Sequence, residues 1–476
     1  MTEPIRFHPA DAFRQRSTEA VNNPAQRKNF RGAMDFLQAK RRAQFPEEAE
    51  LAGLRDLGEA IRRYSLSRLP DLLEQLERNL RANGIQVHWA ENAEQANAVA
   101  IEIARRAGGR RVIKGKSMVS EEVELNHAMA EAGIEALESD MGEYIVQLAG
   151  EAPSHIIMPA IHKTKQEIAA LFASKLPGVA YSEDVDTLIR IGRKVLRRKF
   201  AEADIGLSGV NFAVAETGSL CLVENEGNGR MCTTVPRVHI AITGIEKVVE
   251  KLEHVPPLFS LLTRSATGQA VTTYLNIISR PRQPGEKDGP EEVHLILLDN
   301  GRTQAYADLQ LRATLQCIRC GACMNHCPVY ARIGGHAYGT TYPGPIGAII
   351  SPHLRGLDAT YPLAFASTLC GACSEVCPVR IPITDLLVRL RNEAQARPDS
   401  SAATLRGSGS ARSTLMTALW RGWSMVYARL HLYRITSWFM SRGRALSPID
   451  QGAWTRCRTP LVPAPKRLRD LIREQE

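Results

Sequence analysis

Apolar positions along the chain change period several times, and each change marks an element. Residues 1–65 are rich in Ala, Arg, Gln and Glu, with Phe30, Met34 and Leu37 recurring at helical spacing. That pattern predicts helices joined by turns, the stripe being packing. An amphipathic run, Leu66–Leu80, leads through Asn83-Gly84 into a β-like segment, Ile85–Trp89. Helical and strand patterns then alternate. Helical Ala93–Ala107 precedes strand Arg111–Lys114; helical Ser120–Ala132 and Tyr144–Leu148 precede strand His155–Met158; helical Lys163–Ala173 and Ser182–Lys199 follow. Strand-like Asn211–Ala215, Leu220–Val223, Val238–Thr243, Tyr274–Ser279 and Val293–Leu298 complete the series. Such alternation predicts an α/β domain with a largely parallel sheet over residues 66–300.

The pattern then breaks. Pro281–Pro290 reads as a surface loop. Residues 301–395 hold two cysteine runs separated by a glycine-rich stretch, Gly334–Gly347, and end in a predicted helix, Ile383–Ala396. In that helix Leu386, Leu387 and Leu390 share one side, and Arg389 and Arg391 are expected to face outward. Arg397–Ser410 is Ser-, Ala- and Gly-rich, a linker composition. Beyond it, Leu419, Trp423, Val426, Leu430 and Tyr433 make one helical stripe within Leu415–Met440, with Arg421 opposite. That segment suits an interfacial membrane helix, a docking helix for a partner, or a helix packed back on its own domain. The chain thus divides into a helical extension (1–65), an α/β domain (66–300), a cysteine-rich domain (301–395) and a linker with a basic tail (396–476).

Composition narrows the class. Hydrophobic residues are 44% and charged residues 23%, ordinary for a globular protein. Met1–Gln15 is polar and mixed in charge, and no stretch of about 18 uncharged apolar residues occurs. Seven of the ten cysteines lie in the two runs, which points to a reducing, cytoplasmic setting rather than a disulfide framework. Residues 401–476 hold 13 Arg or Lys against 4 Asp or Glu, a surplus equal to the whole-chain net charge of +9. The protein has a basic tail rather than a basic surface, which suggests peripheral contact with the inner face of a membrane and not nucleic acid.

The candidate chemistry is concentrated in the cysteines. Cys317, Cys320, Cys323 and Cys327, followed by Pro328, have the spacing of the bacterial ferredoxin run, in which the fourth thiolate reaches a second cluster. Cys370, Cys373, Cys377 and Pro378 repeat it, except that Ser367 stands where the first run has Cys317. The exchanged-ligand rule gives cluster I Cys317, Cys320, Cys323 and Cys377, and cluster II Cys327, Cys370 and Cys373. Cluster II is then a three-iron cluster, or a four-iron cluster completed by Ser367, His326, His336 or an exogenous ligand. Zinc is the bland alternative, but it leaves three of the seven cysteines idle.

Two loops of the α/β domain are further candidates. Lys114-Gly-Lys-Ser117 follows a strand and opens a helix, a place suited to anions, although its glycine spacing is not that of a P-loop. Glu216-Thr-Gly-Ser219 and Asn225–Arg230 present glycines, a carboxylate and Arg230, or are simply tight turns. Cys221 and Cys232 read as packing residues. No Gly-x-Gly-x-x-Gly follows a strand, so no dinucleotide fingerprint is present.

The paired runs, the Gly334-Gly-His-Ala-Tyr-Gly339 loop, Leu369-Cys-Gly-Ala-Cys373 and a Pro463-Ala-Pro465 tail together resemble the lactate utilization protein B family. The resemblance implies an α/β lactate-utilization (LUD) domain akin to the sugar-phosphate isomerase (NagB) and CoA-transferase group, followed by a mainly helical two-cluster ferredoxin-like domain. It implies two iron–sulfur clusters and electron transfer in the oxidation of L-lactate to pyruvate, with A-type and C-type companion proteins. From another class comes a transferase or ligand-binding enzyme with Glu216 in its site and the clusters as structural or redox-sensing elements.

Overall fold

The computed structural model describes residues 12–395, 405, 414–446, 455 and 459–475. Ten strands lie between residues 86 and 298: β1 (Gln86–Ala90), β2 (Arg111–Lys114), β3 (Glu135–Glu138), β4 (Ile205–Gly209), β5 (Phe212–Val214), β6 (Ser219–Glu224), β7 (Val238–Gly244), β8 (Val248–Val249), β9 (Tyr274–Ile278) and β10 (Glu292–Leu298). Six form the main sheet in the order β1-β10-β7-β4-β2-β3, with every neighbouring pair parallel. The reason is visible in the side chains. Val293, Leu295 and Leu297 of β10 enter one apolar core while Ile296 and Leu298 enter the other, so both faces of the sheet are covered. A smaller mixed sheet, β8-β5-β6-β9, lies beside it.

Several elements differ from the sequence expectation. β3 and β4 escaped the apolar pattern: β3 carries acidic residues at both ends, and β4 contains two glycines. Gly206 has a reason to be there, since a Cβ would lie 1.8 Å from the Cys232 carbonyl oxygen. His155–Met158 is not a strand. It is a bend in which the N–H groups of Ile157 and Met158 donate to His155 Nδ1 at 3.0 and 3.1 Å. Ser120–Ala132 is two helices, Met118–Glu122 and Leu125–Glu131, broken where Glu124 takes φ +54°.

Residues 12–67 form three helices, Phe13–Val21, Pro24–Gln44 and Glu48–Ser67. Asn23 caps the second by accepting from Gln26 N–H at 3.0 Å, with Pro24 at the first helical position. Their apolar stripe meets the cysteine-rich segment: Phe30 stands edge-on to Tyr330 at 5.9 Å, and Phe13 to Tyr338 at 5.6 Å. Gln38 Nε2 donates to the Asn325 carbonyl at 2.6 Å.

In the helix Ile383–Gln395 the leucines are buried as expected, but the arginines are not simply outward. Arg389 pairs with Asp308 and Glu393, and Arg391 donates to the Ala364 and Ser367 carbonyls at 2.9 and 2.7 Å. Most of the expected linker 397–410 lies outside the described residues; Leu405 is buried and donates its N–H to Glu393. Residues 410–476 are a separate compact unit. There the expected single helix is two, Thr414–Ala428 and Leu430–Arg442, divided at extended Arg429. Among the described residues no helix is long and apolar enough to cross a membrane.

Candidate metal centre

The two cysteine runs fold as a repeat with a period of 50 residues. Gly321 and Gly371 both have positive φ, +75° and +87°, and each opens a four-residue helix, Ala322–Asn325 and Ala372–Glu375. Inside each, the N–H groups three and four residues on return to that glycine's carbonyl, at 3.0 and 3.2 Å in the first run and 2.9 and 3.0 Å in the second. Ahead of them, Arg319 and Leu369 occupy matching positions with φ +61° and +56°. For a residue with a Cβ this costs on the order of 1 kcal/mol, so the surrounding loop must impose it.

The fold gathers the thiols into two sets. Cys317, Cys320, Cys323 and Cys377 act electrostatically on one another, and Cys327, Cys370 and Cys373 do likewise. Burial pushes the Cys377 thiol up to about 12 and the Cys373 thiol up to about 11, with backbone N–H groups opposing the shift. Those N–H groups already point at sulfur. Arg319 N–H donates to Cys317 Sγ at 3.3 Å, Tyr330 N–H to Cys327 Sγ at 3.4 Å and Ile381 N–H to Cys377 Sγ at 3.3 Å. A thiolate bound to metal gains from such donors.

Around the first set the charge is arranged to suit an anionic centre. Arg41 acts on Cys320, Arg55 Nε donates to the Cys377 carbonyl at 3.0 Å, and Lys247 Nζ donates to the Cys317 carbonyl at 3.3 Å. Burial pushes Lys247 down to about 7. Arg62, fully buried, donates to the Gln316, Leu315, Val248 and Glu246 carbonyls. Arg302 grips Glu122 with two bonds of 2.8 Å and Glu246 with one of 2.6 Å, and Arg319 reaches Glu246 at 3.3 Å. This network ties the loop after β7 to the first run. Arg62, Lys247 and Glu246 were not singled out from sequence, because nothing in their spacing marks them.

Among the described residues, no three His, Cys, Asp or Glu side chains converge to hold a single metal ion. Zinc would need its donors about 2.0–2.3 Å from one centre. An iron–sulfur cubane spreads its thiolates over separate irons rather than about one centre.

His326 and His336 each direct one ring nitrogen to a backbone carbonyl. His326 Nδ1 donates to the Ala322 carbonyl at 2.9 Å, and Arg41, Arg42 and Glu375 act on its ring. His336 Nε2 donates to the Ala152 carbonyl at 2.7 Å, with its ring 4.5 Å from that of His162.

The expected anion site at Lys114–Ser117 is corrected by the side chains. Lys114 Nζ is buried between the Glu121 and Glu138 carboxylates, and Lys116 Nζ donates to the Ile157 carbonyl at 2.7 Å. Neither ammonium faces a ligand. The two carboxylates that hold Lys114 belong to a cavity of about 540 Å³ lined by Glu121, Asn126, Glu138, Glu143 and Gln147 among others. Glu143 is buried with neither carboxylate oxygen bonded, and burial raises it well above the usual carboxylate range. Glu216 is exposed on a turn, accepts Leu252 N–H at 3.1 Å and does not line that cavity. Glu224 binds the Gly229 and Arg230 N–H groups at 2.6 Å each, and Arg230 lies over the Tyr274 ring. Cys221 and Cys232 are buried in packing positions.

Comparison with known proteins adds three matches along the chain. A family model described as LUD domain covers residues 73–298, a 4Fe-4S dicluster domain covers 313–381, and lactate utilisation protein B, C-terminal, covers 389–476. A lactate utilization protein B of Bacillus pumilus is 40% identical over 98% of this chain and 98% of its own. The chain belongs to the lactate utilization protein B family. An uncharacterized electron transport protein of Escherichia coli is 41% identical over 93% of this chain and 91% of its own. A solved DUF162 family protein of Deinococcus radiodurans is 17% identical and covers 48% of this chain and 98% of its own; at a TM-score of 0.28 the likeness is too slight to bear on the fold. As a lactate utilization protein B family member with a dicluster domain, the chain is an iron–sulfur protein.

Proposed function

We propose that this chain is the iron–sulfur electron-transfer subunit of a complex that oxidises L-lactate to pyruvate, working with the A-type and C-type lactate-utilization proteins. Its role is that of an electron-transfer component of an L-lactate dehydrogenase complex, not a complete enzyme alone. The observation that carries this reading is the division of seven thiols into two sets by one folded repeat. In this assignment Cys317, Cys320, Cys323 and Cys377 hold cluster I, and Cys327, Cys370 and Cys373 hold cluster II. Iron–sulfur clusters accept and release single electrons, whereas lactate oxidation releases two electrons and two protons. The residues of this chain therefore suit relay, and removal of the substrate hydrogens belongs to a companion. Because Cys323 and Cys327 occupy one turn yet serve different sets, the two sites are necessarily adjacent. The first set is covered on all sides, whereas Cys370 is exposed, so cluster II is the natural face for exchange with a partner.

Chain prepared without oxygen should contain iron and sulfide for two clusters. Lactate should reduce them only when the companion proteins are present. Zinc in place of iron, or reduction by lactate of the isolated chain, would overturn the assignment.

The C-terminal unit supports a peripheral role at a membrane. Between residues 400 and 449 there is no Asp or Glu, and the helices at 414–442 expose Leu419, Trp420, Trp423 and Phe439 beside Arg421 and Arg434. Arginines flanking exposed tryptophans suit an anionic lipid interface. Sedimentation with vesicles containing about one third anionic lipid should capture the full chain. Capture should weaken with salt and fail after removal of residues 410–476, with the iron content unchanged.

A further inference from the structure

The repeat poses a question that the cysteine count leaves open: what stands at the fourth position of the second site. In the first run that position is Cys317. Its sulfur accepts the N–H of the residue two positions on, Arg319, at 3.3 Å, and Arg319 is held at φ +61°. In the second run the equivalent is Ser367. Its hydroxyl oxygen accepts the N–H of Leu369 at 3.1 Å, and Leu369 is held at φ +56°. Only five non-glycine residues among those described have positive φ, and two of them sit at these matched positions. The backbone that aims Cys317 at its site is thus reproduced at Ser367, down to its least favourable dihedral. From outside the loop, Arg391 donates to the Ser367 carbonyl at 2.7 Å and to the Ala364 carbonyl at 2.9 Å, fixing the segment that carries the serine. Of the rival side chains, His336 Nε2 donates to the Ala152 carbonyl and His326 Nδ1 to the Ala322 carbonyl, and neither stands at the position that the repeat matches to Cys317.

We infer that Ser367 Oγ is the fourth protein ligand of cluster II, which makes that site a four-iron cluster of three thiolates and one alkoxide. The inference rests on the iron–sulfur assignment above. On ligation the Ser367 O–H bond breaks, an O–Fe bond forms, and the proton leaves to solvent. Oxygen is a harder donor than sulfur, so it favours the more oxidised iron and binds less tenaciously than thiolate. Cluster II should accordingly lie at lower potential than its all-thiolate equivalent and be the first to lose an iron.

Three full-length proteins prepared without oxygen, wild type, Ser367→Ala and Ser367→Cys, decide the matter by iron content, Mössbauer spectroscopy and electron paramagnetic resonance. Wild type should carry about eight irons per chain, and Ser367→Ala about seven, with a three-iron signal present before any oxidation. Ser367→Cys should retain about eight, resist mild oxidation that produces the three-iron signal in wild type, and titrate at a higher potential. Should Ser367→Ala fail to accumulate, the comparison of wild type with Ser367→Cys still decides. A three-iron signal of equal size in wild type and Ser367→Ala, or no change on introducing cysteine, would mean that the serine only closes a hydrogen-bonded turn. Nitrogen hyperfine coupling at cluster II would assign a histidine instead. Zinc in all three proteins would sink the iron–sulfur assignment itself, a failure distinct from either.

Discussion

Around Cys317–Cys327 every side of the loop is covered. The N-terminal helices supply Arg41, Arg55 and Arg62, the loop after β7 supplies Glu246 and Lys247, and the run's own Arg319 joins Glu246. Around Ser367–Cys377 the same backbone turn recurs, but Cys370 is exposed, and after burial the influences on Cys327 and Cys373 are other thiols and backbone N–H groups rather than cations. The local sequence writes the same loop twice; what differs is what the rest of the chain packs against it. A buried site surrounded by cations is suited to holding its charge, and a site open to solvent is suited to exchanging it. The backbone turn therefore specifies ligation, and the tertiary surroundings specify role.

The largest test of this contrast is to remove one thiolate from each side. Cys323→Ala should abolish cluster I and cost several kcal/mol of stability, because metal binding at a buried site is folding free energy. Cys370→Ala, at the exposed site, should lose cluster II alone. Iron content and calorimetric unfolding would measure both, and equal losses would break the contrast.

Next come the arginines that support each loop. Arg62→Met should cost about 3 kcal/mol, because four buried carbonyls lose their charged donor. Arg391→Met, which serves two carbonyls in a half-buried place, should cost about 1 kcal/mol and affect only cluster II. Denaturant unfolding together with cluster-specific spectra would show whether each effect stays on its own side.

A smaller effect should leave the two sites alike. His239, on β7 of the main sheet, is buried with Nε2 at 2.8 Å from Ser208 Oγ, and burial holds it down at about 4. An unfolded histidine titrates near 6.5, so the folded chain keeps His239 neutral where the unfolded chain takes up a proton. Its contribution is full above pH 6.5 and is lost as pH falls toward 4. At pH 5 the loss is about 2 kcal/mol. The same pH dependence should appear in wild type and in Cys370→Ala, since the histidine lies in the α/β half; a different slope would show coupling between the halves.

The seven cysteines could be read from spacing alone, because a cluster demands short, fixed intervals between its donors. β2 and β10 were equally plain, since a strand buried on both faces needs a run of apolar residues. β3 was hidden by Glu135 and Glu138, one of which turns inward to meet Lys114. β4 was hidden by its two glycines, of which Gly206 is required by the Cys232 carbonyl. Lys114 looked like an anion binder because spacing says nothing about two carboxylates arriving from Glu121 and Glu138. The burial of Arg62 is a matter of tertiary packing, which leaves no mark on the period of a helix.

The embrace of the cysteine loops by residues 12–67 has a consequence for how the protein is made. Phe30, Gln38, Arg55 and Arg62 leave the ribosome well before their partners. The bond from Arg62 to Gln316 spans 254 positions, and that from Arg55 to Cys377 spans 322. At about 5–20 residues per second, the early helices wait some tens of seconds for the segment they are to cover. During that interval the part of their surface that meets the cysteine runs is uncovered, and the cysteine loops cannot close until Cys377 has emerged. The helices at 24–67 are thus made early and reach their full set of partners late.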